Sequence, residues 1–211
     1  MSSINFIFIN GKGSCGKDTQ ADILLKSLGE KPLRISTGDI YREARDTIGE
    51  YAKYHSFVAP FIEHVDIQGG LLPDQVIVYI VEDIITHKLT EGKETFIFTG
   101  FPRTLRQLEL VDDLVSSIEG AIGTHLHFDI SNETSRNRAC IRRQKTQEQG
   151  LPIRPDDQEE VVERRLKIFK QLTYPMLLKL DFEDRLLSIG AEGTIQDIEK
   201  ETSARLSKER L

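Results

Sequence analysis

The chain has 211 residues, 38% of them apolar and 29% charged, with a formal net charge of −6. These values fit one globular domain at the upper end of the usual size range, and they argue against wholesale disorder and against a protein that coats nucleic acid. The longest apolar runs, residues 4–9 (interrupted by Asn5) and 76–81, fall far short of the roughly 18 residues a membrane helix needs.

Residues 4–9 form a β-branched and aromatic run that predicts a buried strand. The run leads through Gly11, Gly13 and Gly16 into an amphipathic stretch with Ala21, Leu24, Leu25 and Leu28 at helical spacing, which Gly29 is placed to end. Residues 33–35 predict a second strand. Residues 38–66 predict broken helix punctuated by Gly38, Gly49 and Pro60, and Pro73 opens a helix over 74–88. A third strand is expected over 95–99, a helix over 104–117 and a fourth strand over 125–130. Helices are expected over 133–145 and 157–180, flanking a polar loop at 146–156. A fifth strand follows over 185–189, then a charged terminal helix from Thr194. Strands alternating with helices predict an α/β fold: a doubly wound, five-stranded parallel sheet covered on both faces. Ligands in such folds sit beyond the carboxyl ends of the strands, where the segments after Ile9 and Thr99 fall.

Charge is unevenly placed. Residues 136–154 carry Arg136, Arg138, Arg142, Arg143, Lys145 and Arg154 against Glu148 alone, a local charge of +5 that leaves −11 over the rest. Such an island suits a small, highly charged anion; a solvated helix face is the plain alternative. The spacing Gly11-x4-Gly16-Lys17 between a strand and a helix is that of a phosphate-binding loop. Glycines let backbone N–H groups turn inward, the helix start adds positive potential, and Lys17 supplies a point charge. Position 18 of the strict pattern is Ser or Thr. Here it is Asp18 followed by Thr19, which argues against a GTPase or a motor ATPase.

Five segments in order resemble the adenylate kinases, within the nucleoside monophosphate kinases. They are the loop GKGSCGKDTQ at 11–20; Ser36-Thr37-Gly38-Asp39-Ile40-Tyr41-Arg42; Gly69-Gly70-Leu71-Leu72-Pro73-Asp74; Gly100-Phe101-Pro102-Arg103-Thr104 with Gln107; and Arg154-Pro155-Asp156-Asp157 with Glu159 and Arg165. The resemblance implies reversible phosphoryl transfer from ATP-Mg to AMP, giving two ADP. It implies a core of 1–35, 67–137 and 155–211 carrying two insertions, a monophosphate-binding flap at 36–66 and a short lid at 138–154. ATP would be held by Gly11, Gly13, Ser14, Cys15, Gly16, Lys17, Asp18, Thr19, Arg138 and Arg142. AMP would be held by Thr37, Gly38, Arg42, Leu72, Gly100, Arg103, Gln107, Arg154 and Arg165, with Gln107 reading the adenine edge. The catalytic cations would be Lys17, Arg138, Arg142, Arg154 and Arg165. Phe101-Pro102 is a candidate cis bond. Asp156 and Asp157 read as hinge and lid-locking groups, while Arg136, Arg143 and Lys145 read as solvated.

The chain also departs from the family pattern. Thr99 stands where the family usually has aspartate, and Asp18 and Ser14 replace loop glycines. No direct protein ligand to Mg2+ is expected; Asp18 and Asp39 are candidates for contact through water. The lid has no cysteine between Arg142 and Arg154, so no zinc is expected. The five histidines have no metal-ligand spacing, and Cys15 reads as a small filler. Two cysteines and no basic, apolar leader fit a reducing, cytoplasmic setting, with small nucleotides as partners, no membrane or nucleic acid, and a monomer expected. The rival readings are a kinase for UMP or CMP and a nucleotide-binding module with impaired catalysis.

Overall fold

The computed structural model of the chain describes residues 4–28, 32–119 and 121–207. Strand β1 (Ile4–Gly11) is followed by α1 (Lys17–Ser27), β2 (Pro32–Ser36) and α2 (Thr37–Asp46). Two short helices, α3 (His55–Val58) and α4 (Ile62–Asp66), alternate with 3-10 turns at 50–54 and 59–61. Then come α5 (Asp74–Thr90), β3 (Thr95–Thr99), α6 (Leu105–Ser117), β4 (Ala121–Asp129) and α7 (Asn132–Glu148). The chain continues through α8 (Glu159–Ile168), α9 (Tyr174–Phe182), β5 (Leu186–Gly190) and α10 (Ile195–Leu206). The sheet is entirely parallel in the order β2-β3-β1-β4-β5.

Alternation along the central strands sorts the core into two faces. Phe6 and Phe8 of β1 stack with Phe96 and Phe98 of β3, ring centroids 5.3 and 5.2 Å apart, under α2, α5 and α6. Ile7, Ile9 and Ile97 point the other way, against Ala21 and Leu24 of α1 and Ile198 and Leu206 of α10. A third cluster seats α9 on α6 through Met176, Leu177, Leu180 and Leu108. Helix starts follow local chemistry: the Ser36, Thr104 and Ser131 side chains accept from the backbone N–H three residues on, and Thr194 with Asp197 forms a full capping box.

Several boundaries differ from expectation. β4 begins at Ala121 because residues 121–124 pair with Ile4–Ile7 of β1, an alignment of distant segments. Helix α7 runs on to Glu148, which shortens the following loop. The single helix expected over 157–180 is instead α8 and α9, joined by a π turn at Phe169–Thr173. Pro175 has no N–H to give the Gln171 carbonyl, and the backbone widens just before it. The stop expected at Gly29 lies outside the described residues. The Phe101-Pro102 bond is cis. No helix among the described residues is long and apolar enough to cross a membrane.

His125 lies in the core, 2% exposed and stacked 4.8 Å from Phe8, with no partner at Nδ1. Burial, helped by the positive charge of Arg185 and opposed by Asp112, pushes its pKa down to about 4. The unfolded chain therefore takes up a proton near pH 6.5 that the folded chain refuses until about pH 4, and stability falls as pH drops through that window. This group is expected to contribute about 2 kcal/mol of the loss between pH 7 and pH 5. His125→Leu, similar in volume, should remove that share, as read from urea midpoints at the two pH values.

Candidate active site

The parallel register brings Ile9, Thr99 and Ser36 level at the carboxyl ends of β1, β3 and β2. A cavity of about 410 Å3 opens above them. On one side lie Gly13, Ser14, Gly16, Lys17, Asp18 and Thr19 of the loop and α1. Gly16 starts α1 at φ 91°, in the left-handed region that favours glycine, and no side chain caps the helix. The first N–H groups of α1 thus face the cavity without intrahelical acceptors, an arrangement that attracts anions. Ser14 is also left-handed, at φ 60°, where the family loop has glycine. Ser135 of α7 anchors the loop, its hydroxyl donating to the Gly13 carbonyl at 2.8 Å.

Seven cationic side chains and two carboxylates line this cavity. Lys17 and Arg154 donate no side-chain hydrogen bond among the described residues. Arg138 makes only long contacts with the carbonyls of Glu192 (3.3 Å) and Gly193 (3.5 Å). Arg142 is committed: Nε and Nη2 both bind the Asp157 carboxylate, which is 1% exposed. Arg165 holds Asp156 at 3.3 Å, and its Nε is buried without a partner. Burial would keep Asp156 protonated, but Arg165, Arg42, Arg142 and Arg154 outweigh that and hold its pKa below the ordinary carboxylate value.

A second, smaller cavity adjoins the first, lined by Thr37, Gly38, Leu72, Gly100, Gln107 and Tyr41 among others. Arg42, Arg103 and Arg165 line both. Arg103 folds back onto its own turn, Nε donating to the Gly100 carbonyl at 2.6 Å. Gly100, at φ 73°, makes this possible, because a Cβ there would sit 2.4 Å from Arg103 Nη2. Arg103 has no carboxylate partner among the described residues. Burial, with the like charge of Arg165, pushes its pKa down to about 10 although one side of the guanidinium remains open to the cavity. Gln107 is 2% exposed and held at both ends of its amide: Oε1 accepts from the Arg103 N–H at 2.7 Å, and Nε2 donates to Asp74 at 2.8 Å. One N–H and one lone pair remain for a ligand.

Most of the expected residues therefore meet at the two cavities, but some do not. Cys15 is fully buried, and Gly11 lies beneath the loop with it. Asp39 does not line the larger cavity; its carboxylate is shared between Arg34 (3.0 Å) and Arg42 (2.5 Å). Two arginines expected to be solvated have partners: Arg136 bridges α7 to Glu163 of α8 at 3.0 Å, and Arg143 lies 3.4 Å from the Asp157 carbonyl. Sequence reasoning missed Tyr41 and Asp156 as lining residues. It also missed Lys12, the second loop lysine, whose ammonium turns away to the Ile130 carbonyl and lies over the Phe169 ring at 5.8 Å. The Gly11-x4-Gly16-Lys17 spacing names Lys17, and the fold shows Lys12 aimed elsewhere.

A strand-loop-helix cradle facing a cavity rich in arginine, with a second cavity opening from it, is the architecture of a P-loop phosphotransferase. The family model for adenylate kinase matches residues 9–182. An adenylate kinase of Corynebacterium aurimucosum is 30% identical over 198 residues, covering 94% of this chain and 97% of the relative. Those of Methanothrix thermoacetophila and Jannaschia sp. are each 30% identical, covering 97% and 92% of this chain and 99% and 95% of the relatives. The chain belongs to the adenylate kinase family, a family of nucleoside monophosphate kinases.

Proposed function

We propose that the protein transfers the terminal phosphoryl group of ATP-Mg reversibly to AMP, giving two ADP, with the larger cavity as donor site and the smaller as acceptor site. The observation that carries this reading is the sharing of Arg42, Arg103 and Arg165 between the two cavities, which sets cations at the point where two phosphate chains would meet. In the transfer, the bond from the γ-phosphorus to the bridging oxygen breaks as an oxygen of the acceptor phosphate bonds to that phosphorus. Positioning and charge do most of this work. Lys17 and the start of α1 hold the β- and γ-oxygens. Arg138 and Arg154, with the Nη1 that Arg142 does not spend on Asp157, stabilise negative charge as it spreads, and Arg165 lies between the sites. Arg42 and Arg103 grip the acceptor phosphate in two-pronged contacts. Thr37, Gly38, Leu72, Gly100 and Gln107 line the place for the adenine.

The oxygen donors at the loop, the Asp18 carboxylate and the hydroxyls of Thr19 and Thr99, suit a hard cation. Among the described residues no group of three or more His, Cys, Asp or Glu side chains could hold a metal by itself. That set fits a magnesium ion brought in by the nucleotide, where it would offset the charge of the phosphate oxygens. Residues 36–66 and 138–154 act as flap and lid, closing to exclude water that would compete for the phosphoryl group. The protein works as a monomer in the cytoplasm on free nucleotides. A coupled assay with ATP, Mg2+ and each of AMP, GMP, CMP and UMP tests the reading. AMP should be the best acceptor, with two ADP formed per turnover. UMP or CMP as the best acceptor would transfer the reading to those kinases, and no transfer to any of the four would overturn it.

A further inference from the structure

A cavity built to receive phosphates carries one feature that opposes them: a carboxylate at the start of α1. Asp18 is the second residue of that helix, adjacent to Lys17, with its side chain 53% exposed in the donor cavity. Alone, it would repel a polyphosphate seated on the loop. It is nevertheless held in place. Thr99, 1% exposed at the end of β3, donates its hydroxyl to Asp18 Oδ1 at 2.6 Å. Strand pairing fixes Thr99 level with Ile9 and Ser36, so the donor cannot drift.

The surroundings argue against simple charge neutralisation. Arg34 reaches Asp18 only at 3.5 Å, and its Nε and Nη2 are spent on Asp22 and Asp39, each at 3.0 Å. Among the described residues Asp18 makes its contacts through Oδ1, and Oδ2 has no hydrogen bond. Partial burial favours the protonated acid, but Lys17, the Thr99 hydroxyl and Arg34 outweigh it and keep the carboxyl ionised. A fixed anion with one oxygen free, beside a phosphate cradle, is useful when the incoming phosphates bring a cation with them.

We propose that Thr99 and Asp18 form one unit in which Thr99 is a positioning residue, holding the Asp18 carboxylate to accept hydrogen bonds from the water shell of a divalent cation bound to the donor nucleotide. The pair makes the donor site prefer a metal–triphosphate complex over the bare triphosphate. This rests on the reading of the larger cavity as the donor site.

The test is titration calorimetry with the β,γ-imido analogue of ATP, with Mg2+ and with EDTA, on the wild type and on Asp18→Asn, Thr99→Val, Thr99→Ser and the Asp18→Asn/Thr99→Val double variant. The quantity read is the ratio of the two dissociation constants, which a general loss of stability does not move. Removal of an outer-shell partner typically costs 10- to 100-fold in metal affinity. Asp18→Asn is expected to shrink the Mg2+ preference about tenfold and to leave metal-free binding equal or tighter. Thr99→Val should follow it, the double variant should lose nothing further, and Thr99→Ser should restore the preference. A ratio within twofold of wild type in both single variants overturns the proposal, as do effects that add in the double. A wild type that binds the analogue with a metal preference yet transfers no phosphoryl group would overturn the kinase reading and leave the Asp18–Thr99 unit standing.

Discussion

Lys17→Ala is expected to lower turnover about 100- to 1,000-fold while the melting temperature stays within a few degrees of wild type. The kinetic loss follows from position. Lys17 opens α1 and lines the larger cavity, and Lys12, the other loop lysine, is spent on the Ile130 carbonyl and the Phe169 ring. Among the described residues no second ammonium lines that cavity to take over the role proposed for Lys17. Removing a preorganised donor from developing charge costs about 3–4 kcal/mol in the transition state. The small structural effect follows from bonding, since among the described residues Lys17 donates no side-chain hydrogen bond, so its removal strands no partner there. Steady-state kinetics with thermal melting of the same sample check both halves. Turnover within threefold of wild type would contradict the assignment of the loop.

Arg103→Met separates function from stability in the opposite sense. The guanidinium is desolvated, lies near Arg165, and has a carbonyl but no carboxylate for a partner. Its depressed pKa of about 10 means that the empty fold carries a cost for the charge at all lower pH values. The nearby Asp18 and Asp156 carboxylates offset part of that cost, and an apolar side chain removes what is left of it. Because the cavity side of Arg103 is open, the gain should be at the low end, about 1 kcal/mol, read as a higher urea midpoint without ligand. AMP binding should weaken roughly 100-fold, as expected for a lost two-pronged, charge-assisted contact of about 3 kcal/mol. ATP binding should change much less. Equal losses for both nucleotides would contradict the separation into two sites.

The parts of this molecule legible in its sequence are those fixed by neighbours in the chain. The turn from β1 to α1 needs glycine at set places, and the Ser36 and Thr104 caps announce their helices within three residues. The arginines could be nominated by their motifs, and the parallel sheet by its alternation with helices. What stayed hidden depends on sheet order. Thr99 and Asp18 stand out in the sequence as departures from the family pattern, but the hydrogen bond between them, across 81 positions, forms only because β3 lies beside β1. Arg34 ties Asp18, Asp22 and Asp39 together because β2 flanks β3 at the same level. The commitment of Arg142 to Asp157, and of Arg136 to Glu163, requires knowing that α7 packs on α8 and the turn before it. The π turn before Pro175 was legible in principle from that proline.

Two sites served by shared arginines are the centre of this account. The most direct measurement is inhibition by an analogue that joins two adenosines through five phosphates, followed against ATP and against AMP in separate titrations. Competition with both nucleotides, and one analogue bound per chain, is the predicted result. Labels on residues in 36–66 and in 138–154 should both move toward the sheet when it binds. An analogue that competes with only one nucleotide, while the other binds alongside it undisturbed, would contradict the account.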